Sequence, residues 1–168
     1  MLVLFEGTDC AGKTTAAKLL AEKLNGEYIH YSKPDKDPFE YFLPAVEKAR
    51  TGIVVCDRHL LGEKIYSKVK GTKSEWKDGD YERMLSLLEE IPTFLIHVWE
   101  YKELLNKRHT ELGETFITQK QQITVQNLFK KECKRIAKQY PKITVLSYKP
   151  TSNLIRYAAT KSGSTRQR

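Results

Sequence analysis

Five short, nearly unbroken apolar runs punctuate the chain: LVLFE (2–6), EYIHY (27–31), IVVCD (53–57), FLIHV (94–98) and ITVLS (143–147). Each has the length of a strand, and continuous rather than alternating apolar character predicts strands of a parallel sheet covered on both faces. The intervening segments carry helical periodicity. KTTAAKLLAEKLN (13–25) puts Ala17, Leu20, Ala21 and Leu24 on one stripe, and Asn25-Gly26 supplies a stop. Asp37-Pro38 opens a second helix through FEYFLPAVEKAR, with an early proline bend and an end at Thr51-Gly52. DYERMLSLLEE (80–90) predicts another, stopped by Pro92.

From Glu100 to Tyr140 the pattern is helical with one break near LGE (112–114), and the helix from about Thr118 offers Ile123, Leu128, Ile136 and Ala137 as its apolar side. Thr151–Lys161 reads as a short last helix and residues 162–168 as a disordered basic tail. Strands alternating with helices predict an α/β fold, a five-stranded parallel sheet sandwiched by helices, with ligands at the carboxyl ends of the strands. A chain of 168 residues bounds this to one domain, here 1–161.

Charge divides the chain unequally. Residues 120–168 hold 12 Lys and Arg against one acidic residue, whereas the rest is slightly acidic and the whole sums to +8. Such a basic third suits either a DNA contact through 120–168 or a solvated helix face. Three dispersed cysteines with no zinc spacing fit a reducing cytoplasm, and no apolar stretch approaches the roughly 20 residues that span a bilayer, so no membrane partner is expected.

The strongest chemical signal is GTDCAGKT (7–14), a GxxxxGK[ST] match placed after a buried strand and at the opening of a helix. Gly7 and Gly12 permit the turns that aim backbone N–H groups inward, so Gly7, Thr8, Cys10, Ala11, Gly12 and Thr15 form a cradle for the phosphates of ATP. Lys13 reaches the terminal phosphates and Thr14 holds Mg²⁺ through its hydroxyl. No guanine-reading NKxD sequence is present, which argues against a GTPase. Asp57 closes the third apolar run, so its carboxylate is expected beside Thr14 at the metal, as ligand or base. Arg58 offers a planar fork for a phosphoryl group. An N-cap for the following helix is the bland alternative for Asp57.

Together, EGTDCAGKTT and VVCDR resemble the two motifs of the thymidylate kinase family and its deoxynucleoside kinase relatives. The resemblance implies a P-loop nucleoside/nucleotide kinase fold, in which Asp9 contacts the acceptor's sugar or hydroxyl region and Arg58 holds an acceptor or transferring phosphate. It also implies a cationic lid around 100–120, where Lys107 and Arg108 are the candidates for neutralising the transferring phosphoryl group. A homodimer would accord with it. Cys10 departs from the motif's glycine and His59 from its aromatic residue, and the stretch from Asp35 to Ile53 leaves no room for the family's base-reading helix.

The activity expected is therefore transfer of the γ-phosphoryl of ATP, with Mg²⁺, to a dTMP-like deoxynucleotide or a deoxynucleoside. The alternative is a hydroxyl on a nucleic acid, at a strand end or on a hydroxymethylated base in DNA. Phe39, Tyr41 and Phe42 could stack on a base or belong to the core. His30 and His97, in strands, are expected in the core; His59 is a candidate site residue; Trp76 and Tyr81 fall in an excursion, GTKSEWKDGDYE, that either borders the acceptor cleft or is a plain surface loop.

Overall fold

The computed structural model describes residues 1–34, 37–112 and 117–151, with the Leu112 side chain left aside. In chain order the elements are β1 (Leu2–Glu6), α1 (Lys13–Leu24), β2 (Glu27–His30), α2 (Pro38–Ala49), β3 (Val54–Asp57) and α3 (Leu60–Lys70). There follow α4 (Asp80–Leu88), β4 (Thr93–Val98), α5 (Lys102–Leu112), α6 (Gln119–Gln139) and β5 (Ile143–Tyr148). All four strand pairings are parallel, in the order β2-β3-β1-β4-β5.

Successive residues of a strand face opposite ways, and in the middle of this sheet both directions lead into a core. Leu2 and Leu4 of β1 join Val54 and Cys56 of β3 in one cluster with residues of α2, α3, α4 and α6. Val3 and Phe5 join Val55 in the other, against Ala17 and Ala21 of α1 and Leu105 of α5. The outer strands β2 and β5 are only partly covered, which is why their runs hold more polar residues. The carboxyl ends of β1 and β3 therefore sit side by side at the centre of the molecule, with Phe5 opposite Asp57.

The helix boundaries follow local chemistry. Asn25 adopts a left-handed conformation (φ 49°), and the Gly26 N–H returns to the Ala21 carbonyl at 2.9 Å, closing α1 where the Asn-Gly pair predicts. Asp37 caps α2 by accepting from the Phe39 N–H at 2.9 Å, with Pro38 in the first turn. Thr118 and Gln121 form a capping box at the start of α6.

Three expectations change. The buried side of α6 is Gln122, Val125, Phe129, Cys133 and Ile136, the three-and-four spacing of a single stripe. Ile123 and Leu128 lie at its margin and Ala137 is exposed, because those aliphatic positions do not share one face. Trp76 is buried rather than displayed on a surface excursion: it stacks on Phe42 at 5.9 Å and meets Tyr81 edge-on at 5.4 Å. His97 is buried as expected, but His30 ends an edge strand and is exposed. Of the last expected helix only Thr151 lies among the described residues, and the tail 162–168 lies outside them. The lysines of α6 at 120, 130, 131, 134 and 138 are exposed, as on a solvated helix face.

Candidate active site

The site grows from the turn between β1 and α1. Gly7 (φ 154°) passes so close to β4 that a Cβ there would lie 2.1 Å from the Val98 carbonyl oxygen. Gly12 (φ 94°) takes the left-handed turn into α1, where the helix N-terminus faces the loop. Cys10 is left-handed as well (φ 64°), which gives a steric reason for glycine at that place in the family's motif. Lys13 is buried and its Nζ donates to the Thr8 carbonyl at 2.7 Å, folding back over the loop. Burial, together with the charge of Arg58, lowers its pKa.

Asp57 closes the site from β3. Its side chain is fully buried, and Oδ2 accepts from the Thr14 hydroxyl at 2.5 Å and from the Tyr28 hydroxyl at 3.2 Å, with His30 Nδ1 at 2.9 Å. Burial alone would raise the pKa of this carboxyl, but the hydrogen bonds from Thr14 and His30 and the charge of Lys13 outweigh it and hold the group below the usual carboxylate range. Tyr28 is pushed up to about 12 by burial and then by Asp57, so it stays a donor. Oδ1 of Asp57 is buried with no hydrogen-bond partner among the described residues. The Thr14 hydroxyl and the Asp57 carboxylate, with one oxygen unused, are hard oxygen donors of the kind that fits Mg²⁺, an ion that keeps few protein ligands.

On the other side of the loop, Arg58 Nη2 donates to Asp9 Oδ1 at 3.0 Å, and the Arg58 backbone (φ 70°) is tied to the Phe5 carbonyl at 3.0 Å. The Tyr66 phenol is buried next to Asp9, and burial followed by that charge raises its pKa. Beyond this pair opens a cavity of about 280 Å³ whose walls include Lys33, Phe42, Arg58, Tyr66 and Lys70. Phe39 is core; Phe42 is both core and cavity wall; Tyr41 is half-buried. His59 is buried, its Nε2 lies 3.3 Å from the Phe42 carbonyl and its ring packs on Phe42 at 4.6 Å. It shapes the wall of the cavity, and burial lowers its pKa to about 3.

The two lid candidates part company. Arg108 reaches back to the loop, Nη1 donating to the Cys10 carbonyl at 2.9 Å. Lys107 is 71% exposed and pairs with Glu111 at 3.9 Å, so it does not meet the loop. Asp9, Lys13, Thr14, Asp57, Arg58 and Arg108 thus converge, while Thr15 is exposed on α1.

Three residues at this site carry no signal in the motifs, and a fourth, Glu6, is visible only as the first residue of EGTDCAGKTT, with no role attached. Tyr28 and His30 are two apart on β2 and so share a face, and His30 pairs in register with Asp57; period-two parity was the available signal. Glu6 is buried at the end of β1 against the start of α3, its Oε1 accepting from the His59 and Leu61 N–H groups at 3.0 and 2.9 Å. Glu100, just past β4, is buried too, and no motif marks it.

No family profile matches the sequence. The "Probable thymidylate kinase" of Methanococcus aeolicus is 27% identical over 123 residues, covering 57% of this chain; the chain spans 59% of that relative's length. Among solved structures, YorR protein from Bacillus subtilis, in complex with phosphorylated GDP, aligns with TM-score 0.69 at 15% identity over 97% of this chain and 98% of its own. Deoxyadenosine kinase from M. mycoides with bound dCTP aligns with TM-score 0.57 at 19% identity over 98% and 100%. The five-stranded parallel sheet with its helices is the P-loop nucleotide kinase fold, as the resemblance of the two motifs implies.

Proposed function

We propose that this chain, a P-loop nucleotide kinase by fold, transfers the γ-phosphoryl group of ATP to a deoxynucleotide of the dTMP kind. The observation that carries the reading is the Thr14–Asp57 contact at 2.5 Å, because it brings the phosphate loop and the carboxyl end of β3 into one pocket. The loop amides and Lys13 bind the donor phosphates, and Thr14 with Asp57 would hold Mg²⁺. Bound there, Mg²⁺ neutralises phosphate charge and aligns donor and acceptor. Arg108 stands at the rim of the loop to offset charge on the transferring group, and Arg58, fixed by Asp9, faces the acceptor cavity.

A phosphate acceptor suits this cavity better than a nucleoside hydroxyl. A hydroxyl needs a base to take its proton, whereas a phosphate oxygen is already a nucleophile. Each well-placed carboxylate is already held at one oxygen, Asp57 Oδ2 by three donors and Asp9 Oδ1 by Arg58, the Asp57 carboxylate is assigned to the metal in this reading, and Glu63 in the cavity wall accepts from Ser67, Ser74 and the Glu75 N–H. Cations fit a phosphate instead, and Lys33, Arg58, Lys70 and Lys73 border the space. A hydroxyl on a nucleic acid has less in its favour, since the relative and the deoxyadenosine kinase are named for free nucleotides and nucleosides. A cytoplasmic setting suits three free thiols. A homodimer and a DNA contact through 120–168 stay outside this reading.

The test offers labelled ATP and Mg²⁺ in parallel to nucleosides, deoxynucleoside monophosphates and hydroxymethylated DNA. Label on a monophosphate is the expected result; label on DNA or on nucleosides alone overturns the acceptor assignment.

A further inference from the structure

Glu100 is fully buried, yet it takes no part in binding donor, metal or acceptor as described above. A lone carboxylate in a protein interior is costly, and well-packed neutral side chains are commonly as good or better for stability. Its surroundings suggest what the charge does. The Gln126 side chain grips the Glu100 backbone at both polar groups, Oε1 accepting from its N–H at 3.0 Å and Nε2 donating to its carbonyl at 3.1 Å. The residue is thereby fixed to α6 independently of its own carboxylate.

The carboxylate then joins segments that border the phosphate loop. Oε1 accepts from the Tyr101 N–H at 3.1 Å, at the base of α5. Oε2 accepts from the N–H of Thr151 at 3.3 Å and from its hydroxyl, just past β5. It also faces Arg108 Nη2 at 3.9 Å, while the other arm of that guanidinium holds the Cys10 carbonyl at 2.9 Å. The β5 end is itself against the loop, since a Cβ on Gly12 would come within 3.2 Å of Pro150 Cγ.

We infer that Glu100 is a positioning residue: its buried charge holds the Arg108 guanidinium at the rim of the phosphate loop, in place for the transferring phosphoryl group. This rests on the kinase reading above. An arginine on a solvated helix would sample many rotamers, and fixing it beforehand removes that ordering from the reaction step. The dependence runs through Arg108, so loss of Glu100 should act on transfer rather than on donor affinity.

The test is a double-mutant cycle on Glu100→Gln and Arg108→Ala. For each variant it measures kcat and KM for ATP with the acceptor found in the labelling panel, MgADP affinity by calorimetry and the thermal midpoint. Glu100→Gln should lower kcat about 10-fold, as outer-shell partners do elsewhere, with KM for ATP and MgADP affinity within about 2-fold of wild type. Arg108→Ala should lower kcat at least as far, and the double variant no further than Arg108→Ala. Should Glu100→Gln prove unstable, Glu100→Asp keeps the charge and draws it back by one methylene; an intermediate loss, absent on the Arg108→Ala background, is then expected. Losses that multiply in the double variant, or a loss of MgADP affinity matching the loss of kcat, would assign Glu100 a purely structural role and overturn the inference. A wild-type chain that binds no MgADP overturns the kinase reading and the inference with it, whereas normal transfer by Glu100→Gln overturns the inference alone.

Discussion

The hydroxyl of Thr14 and the Oδ2 atom of Asp57 are joined by a 2.5 Å hydrogen bond that links the second residue of α1 to the last residue of β3. Parallel pairing of β1 with β3 makes this possible, because two adjacent parallel strands end at the same edge and launch their loops side by side. The pair ties the turn after β1 to the end of β3, and in the proposed reaction Thr14 and Asp57 would be the residues that hold Mg²⁺.

Asp57→Asn keeps the shape and one acceptor oxygen while removing the charge. Transfer from labelled ATP should fall by about 10²–10³-fold, with circular dichroism and the thermal midpoint close to wild type. Lys13→Ala should do the same through the donor phosphates. Undiminished turnover in either variant would exclude the proposed roles.

Arg108 and Lys107 are neighbours in sequence and point to different surroundings, the Cys10 carbonyl for the first and Glu111 for the second. A cation that stabilises a transferring phosphoryl group can contribute ~10³-fold. Arg108→Ala should therefore cost at least ~10-fold more in kcat than Lys107→Ala. Equal losses would mean that the lid uses both charges, and a larger loss at Lys107 would reverse the assignment.

How the sequence foretold this arrangement varies with the kind of signal each residue carries. The strands were legible because a two-sided parallel sheet writes itself as apolar runs, and LVLFE and FLIHV differ from β1 and β4 by at most one residue at an end. The positions of Lys13 and Thr14 were legible because backbone turns and phosphate chemistry tie them to a fixed spacing, and those of Asp57 and Arg58 because they end a buried apolar run beside that motif. Tyr28, His30 and Glu100 were not, since each acts through a partner distant in sequence, across a strand pair for the first two and from α5 and the β5 end for the third. Arg108 could not be separated from Lys107 before the phase of α5 was known. The stripe of α6 was misread for a related reason: Gln122, an amide buried in the core, does not look like a core residue in a sequence.

Cys10 lies at φ 64°, a conformation that costs an L-residue roughly 1–2 kcal/mol and costs glycine nothing of the kind. Cys10→Gly should leave stability within about 1 kcal/mol, relief of the turn offsetting the added freedom of the unfolded chain. Cys10→Val places a β-branched side chain in the same turn and should lose about 2 kcal/mol and weaken MgADP binding. Urea unfolding of the two variants checks the order; a valine variant as stable as the glycine one would show that the turn tolerates a left-handed branched residue.

Glu6 should make stability depend on pH in a direction opposite to that of most carboxylates in proteins. Burial raises its pKa from 4.5 to about 7, outweighing the N–H groups of Leu61 and His59 and the charges of Lys13 and Arg58. The folded chain then holds this proton more tightly than the unfolded chain, so the contribution is present in full below the unfolded value and is lost as pH climbs through about 7. The full loss corresponds to about 3 kcal/mol. His59 and His97, lowered by burial to about 3 and about 4, work the other way: the unfolded chain takes up their protons first, and stability falls as pH falls below 6.5. The wild-type profile therefore mixes opposing slopes, and the contribution of Glu6 emerges only as a difference. Glu6→Gln can still accept from both N–H groups and has no proton to lose. Measured by urea unfolding from pH 4.5 to 8, the variant should gain on wild type by about 3 kcal/mol, most of it between pH 5 and 7.5. A flat difference across that range would mean that Glu6 titrates alike in the folded and unfolded chain, contrary to its burial between β1 and the start of α3.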